Sequence, residues 1–249
     1  MFNLVKRLRN RFLPRSSPTA TLHPYTSSKW CILDVLIKNR IPISQIIDVG
    51  VQAETPELRA LFPDVPHLLF EPVSSYAIDI ERNYAGIEHQ LFPIPLSSCS
   101  ESAWQVETSI LNDGNITHSY ISTQPVLVDG FDIVRCRPIR VEALDAFYNL
   151  FLPNFLLKID IDGLELSVIK GASKSLSLAS VVVVEADYSS LSARCAAIEC
   201  HGFQLIEIVD RILYGHVLWQ ADLVFLRADL VAPVLRPPMF NPEFWRPLT

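Results

Sequence analysis

Apolar residues along this chain fall into short unbroken runs that end on an acid, separated by stretches with helical spacing. Ile46-Ile47-Asp48-Val49-Gly50 runs into an acid and a glycine, and His67-Leu68-Leu69-Phe70 stops at Glu71-Pro72. Phe155-Leu156-Leu157-Lys158-Ile159 ends at Asp160, and Val181 to Val184 ends at Glu185. Runs this short and rich in Val, Ile and Leu read as strands buried on both faces, as in a parallel sheet. A further strand is expected over 88–96. Helical spacing covers 27–39, where Ser27 or Ser28 can cap the start and Pro42 forbids continuation. It recurs over 56–62 with Pro56 in the first turn, then over 74–83, 142–151 and 164–178. A last helix over 190–201 is stopped by Gly202. Alternation of this kind predicts βαβ units. The final strands, 203–209 and 222–227, leave no room for a helical crossover and must pair antiparallel. The expected fold is α/β: a mainly parallel seven-stranded sheet with a terminal antiparallel hairpin and helices on both faces.

Between 97 and 138 the pattern weakens. Ser, Thr, Asn and Gly are frequent, and Asn112-Asp113-Gly114-Asn115 is a strong turn cluster, so a hairpin or short excursion from the sheet is expected. Ile139-Arg140-Val141 returns to extended structure. The chain divides into a segment 1–25, one domain over 26–230 with 97–138 as its variable insertion, and a proline-rich tail 231–249. The tail should be irregular, with Phe240, Phe244 and Trp245 available to pin it to the body.

Composition narrows the class. Of 249 residues, 49% are hydrophobic and 19% charged, which excludes a disordered chain. No apolar run approaches the roughly 18 residues that span a bilayer; Lys38, Asp48 and Glu71 interrupt the best candidates. Five cysteines without a CxxC pair read as thiols of a reducing, cytoplasmic compartment. Charge is unevenly placed. Lys6, Arg7, Arg9, Arg11 and Arg15 give the first fifteen residues +5, leaving 16 basic against 27 acidic side chains elsewhere, or −11. An acidic body argues against a nucleic-acid partner. Phe2, Leu4, Val5, Leu8 and Phe12 interleave with the terminal bases. One face of that segment can therefore lie on an anionic membrane, unless it is simply a frayed or locally packed helix.

Ligands of open parallel sheets bind beyond the carboxyl ends of the strands. Asp48, Glu71, Asp160 and Glu185 each close a different strand, so four carboxylates should gather along one rim. Taken singly, each can instead cap the helix that follows. Gly50 permits close backbone approach. The turn 48–54 lacks GxGxxG, Glu54 repels phosphate, and GxxxxGK[ST] is absent, which disfavours nicotinamide dehydrogenases and P-loop proteins. A ligand with a ribose but no phosphate fits better, with Glu71 accepting from both ribose hydroxyls. S-adenosylmethionine is such a ligand, and its ammonium and sulfonium charges suit an acidic rim.

The series IIDVG, LFEP with Asn83 downstream, EALD, LLKIDIDGLELSVIKGA and VVVVEADY resembles the FkbM-type S-adenosylmethionine-dependent methyltransferases, as does DLVFLR beyond an HGF strand. The likeness covers roughly 41–227. It implies the class I methyltransferase sheet and O-methylation of a hydroxyl on a small-molecule or glycosyl acceptor. It puts Asp48 and Gly50, with Val51, in the first cofactor turn, and Glu71, with Pro72, at the ribose. Ser97 falls beside the adenine and Asp160 at the donor end. Two departures stand out: Val51, Gln52 and Glu54 where the family has a small residue, Asn and a second glycine, and Asp162 for the usual Glu. The first leaves open a catalytically inactive binding or scaffold protein on the same fold.

Methyl transfer to an alcohol needs an aligned acceptor and a nearby base. Asp160 is the first candidate, or else a cofactor-orienting carboxylate; Glu185 is the second. Lys158 should pair with an acid such as Asp145, while Asp162 and Glu165 can cap the helix beginning at Leu164. His201 reads as a helix-end residue. His216, in the connection between the last strands, is the candidate for acceptor binding. No histidine pair has ligand spacing, and no metal is expected. The region 97–138 and the loop 214–220 should shape acceptor choice. Nothing in the sequence fixes an oligomeric state.

Overall fold

The computed structural model describes residues 27–109, 116, 118–128, 132–161 and 163–234. The basic segment 1–25, the turn cluster 112–115, Asp162 and the aromatic residues of the tail lie outside the described residues. In chain order the elements are α1 (Lys29–Lys38), β1 (Gln45–Val49), α2 (Pro56–Leu61), β2 (His67–Phe70), α3 (Ala77–Asn83) and β3 (His89–Phe92). There follow β4 (Leu96–Ser97), β5 (Glu101–Thr108), β6 (His118–Ser122), β7 (Ile133–Ala143), β8 (Phe155–Ile159), α4 (Glu165–Lys170) and β9 (Ala179–Asp187). The chain continues through α5 (Leu191–Glu199), β10 (Phe203–Tyr214), β11 (Val217–Arg227) and α6 (Ala228–Val234).

Seven strands form one sheet in the order β3-β2-β1-β8-β9-β11-β10. All pairs from β3 to β9 are parallel, and β11 runs antiparallel to both its neighbours. The expected class, with its antiparallel margin, is what forms. Ile47, Val49, Leu157, Ile159, Val182, Val184, Leu223 and Phe225 pack one face against Val168, Ile169 and Ile198 of α4 and α5. Ile46, Leu156, Val181, Val183, Val224 and Leu226 pack the other against Leu33, Leu36 and Leu58 of α1 and α2. The side-chain period of two divides each run between two helix layers.

Several elements differ from the sequence reading, each for a local reason. The strand expected over 88–96 splits: β3 ends at Phe92, and Leu96–Ser97 join a second sheet of order β4-β7-β5-β6. That sheet is the excursion expected between 97 and 138, extended to Ala143 by the long β7. Only a 3-10 segment, Leu144–Leu150, remains of the helix expected over 142–151. The helix expected over 164–178 breaks after Lys170. Gly171 lies so close to β4 that a Cβ there would sit 2.2 Å from the Ser97 carbonyl oxygen. Asp145 then accepts from the N–H groups of Lys174 (2.9 Å) and Ser175 (2.7 Å), starting the 3-10 segment Ser175–Leu178. Asp145 is thus committed there and is not the partner of Lys158. The last two strands are longer than expected, because most of 214–220 is strand. The tail begins as helix in α6. Among the described residues no helix is long and apolar enough to cross a membrane.

The helix start at α1 shows how charge is used inside this core. Ser28 caps it by accepting from the Cys31 N–H at 3.3 Å. One residue on, Lys29 is buried and its Nζ lies 2.5 Å from Asp222, 3.2 Å from Glu57 and 3.4 Å from Asp210. Burial alone would lower its pKa, but the carboxylates of Asp222, Glu57, Asp160 and Asp210 hold it well above the ordinary value. The ammonium therefore joins α1, α2, β10 and β11. Lys29→Met should cost about 3–5 kcal/mol in urea unfolding of the full chain, since it strands buried carboxylates. A loss below about 1 kcal/mol would show that those acids relax into water instead.

Candidate functional site

At the carboxyl ends of β1, β2 and β8 the structure opens into a cleft of about 730 Å³, solvent at its mouth included. Its floor is Val49, Gly50, Phe70, Glu71 and Asp160; Val73 and Tyr76 follow β2, and Ile94 and Leu96 follow β3. Ser119, Tyr120 and Ile121 of β6 close it from the second sheet.

The exits of β1 and β8 touch. The Asp160 N–H donates to the Val49 carbonyl at 2.9 Å, and Gly50 takes φ +86° directly against Asp160. A Cβ at position 50 would lie 2.0 Å from the Asp160 carbonyl oxygen, so only glycine fits. Beyond it, Gln52 adopts φ +54°, costly for a side chain with a Cβ, and this aims its N–H at Glu71 Oε2, 2.8 Å away. The Val73 N–H donates to Oε1 at 2.8 Å. Asn83 Nδ2 donates to the Ala53 carbonyl, the Thr55 N–H donates to Tyr84 Oη, and Arg59 pairs with Glu54 at 2.8 Å. These contacts fix the loop without the second glycine that position 54 lacks. Glu71 is buried, and burial pushes its carboxyl up to about 7 despite the two N–H donors.

Asp48 sits beneath this loop rather than in the cleft. It is fully buried, opposite Lys158 in register, and the Lys158 Nζ lies 3.1 Å from its Oδ1. The same ammonium donates to the Gly50 carbonyl at 3.2 Å and lies 3.5 Å from Asp160. Burial would lower the Lys158 pKa, but Asp48 and Asp160 keep it raised.

Of the residues singled out from sequence, Gly50, Glu71, Pro72 and Asp160 line the cleft. Asp48, Val51, Ser97, Glu185 and His216 do not. Val51 is buried against Leu69, Ile80 and Tyr84. Ser97 is buried in β4 with its carbonyl turned to Gly171. Glu185 falls inside β9, which runs on to Asp187, so it faces β11 and accepts from Gln220 Nε2. His216 occupies the tight turn between β10 and β11 and is exposed. The four carboxylates therefore do not form one rim: two reach the cleft and two are held within the sheet. Glu165 is not a simple cap either, being buried 2.5 Å from Arg194. Tyr76 was not singled out from the sequence, Gln52 only as a departure in the first turn, and Ser119, Tyr120 and Ile121 only within the region 97–138. Gln52 lay in an atypical loop, and the β6 residues carried no motif. The Lys158–Asp48 pair was accessible in principle, since parallel neighbours at matching distances from their strand ends share a face.

The donor set fits an adenosyl ligand. Each Glu71 oxygen, after one N–H bond, keeps a lone pair for a ribose hydroxyl. Val73, Tyr76, Ile94 and Leu96 offer apolar surface to a flat base, and Asp160 lies at the other end. Among the described residues no group of three His, Cys, Asp or Glu side chains could hold a metal ion.

The family model for the methyltransferase FkbM domain matches residues 64–213, more than half of the chain. A comparison with curated proteins finds no match. Similar solved structures include the METTL16 methyltransferase domain (13% identity, TM-score 0.44), with 79% of this chain and 64% of that one covered. This chain thus spans less than two thirds of that domain. Another is the ribosomal protein L11 methylase of Lactobacillus delbrueckii subsp. bulgaricus (15%, TM-score 0.41, coverage 80% and 77%). A third is the magnesium protoporphyrin IX methyltransferase of Synechocystis PCC 6803 with bound SAM (8%, TM-score 0.43, coverage 79% and 76%). Likenesses this distant add nothing to what the strand order shows.

Glu71 generates a pH prediction. Its carboxyl is raised from the ordinary 4.5 to about 7 in the folded state, so its contribution to stability is complete below the unfolded value and is lost as pH rises through about 7. The ligand-free protein should lose roughly 2–3 kcal/mol from this group between pH 5 and 8. In Glu71→Gln that part of the pH dependence should vanish, as read from urea midpoints across the range. An unchanged slope would mean that Glu71 is already ionised in the folded protein.

Proposed function

The chain belongs to the methyltransferase FkbM domain family and has the class I methyltransferase sheet, and from that premise we propose that it is an S-adenosylmethionine-dependent O-methyltransferase acting on a hydroxyl of a small-molecule or glycosyl acceptor. The observation that carries this reading is Glu71, a buried carboxylate held by two backbone N–H groups and presented to a cleft with apolar walls.

Bound S-adenosylmethionine supplies an electrophilic methyl group on a sulfonium. Glu71 would accept from the two ribose hydroxyls, and Val73, Ile94 and Leu96 would hold the adenine. Gly50 lets the backbone approach the ligand without a Cβ in the way. Asp160, at the exit of β8 with the Lys158 ammonium 3.5 Å away, is fixed beside the reacting end. There it would take the proton of an acceptor hydroxyl. Apolar walls and the β6 residues exclude water that would compete with the acceptor.

A second reading, a binding or scaffold protein without turnover, draws on Gln52 and Glu54 in the first loop. Calorimetry separates the two. The full chain should bind S-adenosylhomocysteine, and Glu71→Gln should weaken binding roughly tenfold to hundredfold through lost charge-assisted hydrogen bonds. Asp160→Asn should leave that affinity within about threefold but lower methyl transfer by about 10²–10⁴. Absence of binding at millimolar ligand would reject the enzyme reading, and binding without turnover on a broad acceptor panel would favour the scaffold.

A further inference from the structure

The second sheet reaches the cleft through more than the residues that line it. Residues directly opposite one another on paired strands share a face. Two rows cross the face that carries the cleft-lining Ser119 and Ile121: Arg137–Gln105–Ile121 and Arg135–Glu107–Ser119. Gln105 is fully buried. Its Nε2 donates to Ser119 Oγ at 3.0 Å, and its Oε1 accepts from Arg137 Nε at 3.0 Å and Nη2 at 2.7 Å. Glu107 is buried as deeply, yet neither of its oxygens is in a hydrogen bond. The guanidinium groups of Arg135 and Arg137 lie 3.2 and 3.7 Å from it. Glu107 therefore balances the charge of Arg137 and leaves its donors for other partners.

One of those partners belongs to the Glu71 cradle. Arg137 Nη2 also donates to the Pro72 carbonyl, at 3.3 Å. That carbonyl is part of the same peptide unit as the Val73 N–H, which donates to Glu71 Oε1 at 2.8 Å. A single rigid plane is thus gripped at both ends, by a cation on its oxygen and by the candidate ribose carboxylate on its nitrogen. A cation on the oxygen polarises the amide and strengthens its N–H as a donor. Water in the same place would hold the plane less firmly, since bonds from charged donors are the stronger ones.

We propose that Arg137 is a positioning residue for ribose recognition. Through the Pro72–Val73 peptide it fixes the direction in which Glu71 presents its free lone pairs. Through Gln105 and Ser119 it ties that direction to β6, the strand that closes the cleft from the second sheet. The inference rests on the adenosyl reading of the cleft and adds to it a residue that no motif marks.

Calorimetry of the full chain with S-adenosylhomocysteine and its 2′-deoxy analogue tests this at pH 8, above the Glu71 pKa of about 7. Wild type should prefer the parent ligand by about tenfold or more, because the analogue lacks one hydrogen bond to a carboxylate. Arg137→Met combined with Glu107→Leu removes both charges, so neither is stranded. That variant should keep a urea midpoint near wild type, and its preference should fall at least about fivefold. Arg137→Lys keeps a charge beside Glu107 without the planar fork, and should lose a similar share of the preference. If the double variant does not fold, Arg137→Lys carries the test alone. A merely structural role would weaken both ligands equally and leave the preference intact. That result, or wild-type affinities in the variants, overturns the proposal while the adenosyl reading stands. Equal binding of the two ligands by wild type overturns it as well. Absence of S-adenosylhomocysteine binding by wild type overturns the proposal and the adenosyl reading together.

Discussion

An ammonium group buried within a parallel sheet governs the shape of this site. Lys158 lies opposite Asp48 on adjoining strands, in a position where any unpaired charge would be prohibitively costly. Its three donors meet Asp48, the Gly50 carbonyl and Asp160, which are the base, the crest and the far side of the first turn. The loop is therefore anchored from below by electrostatics and from the side by hydrogen bonds to Glu71, Asn83 and Tyr84. Gly50 and Asp160 can approach each other this closely because position 50 carries no Cβ.

This arrangement assigns different tasks to acids that look alike in sequence. Asp48 and Asp222 neutralise buried lysines. Glu71 and Asp160 face open space. Asp48 belongs to β1 proper, and Glu71 and Asp160 follow the ends of β2 and β8.

Most of the architecture was legible because the strands of the parallel core other than β3 are compact apolar runs that meet an acid at or near their ends. Seven strands, their alternation with helices and the reversed margin all follow from that pattern. Two helices were overcalled because periodicity is blind to tertiary contact. Leu164 to Leu178 has the right spacing, but Gly171 must approach β4 and Asp145 captures the next two N–H groups. Glu185 was misplaced because the run Val181 to Val184 ends in sequence before β9 ends in space; pairing with β11 carries the strand on to Asp187. Ser119, Tyr120 and Ile121 reach the cleft only through the folding of a second sheet, and no local pattern encodes that. Lys158 was expected to pair with an acid such as Asp145; the register of β8 on β1 gives it Asp48 instead.

The contact between Gly171 and Ser97 bears on how this architecture can diversify. Both roots of the second sheet, β4 at its start and the end of β7, are bonded to each other in parallel at Leu96–Glu142 and Ser97–Ala143. The excursion thus leaves and re-enters the body through a single clamp, closed by a residue without a side chain. No strand beyond the clamp takes part in the seven-stranded order, although Arg137 of β7 donates to the Pro72 carbonyl at 3.3 Å beside the Glu71 cradle. The seven-stranded core and the excursion are in this way held by separate ladders within one polypeptide.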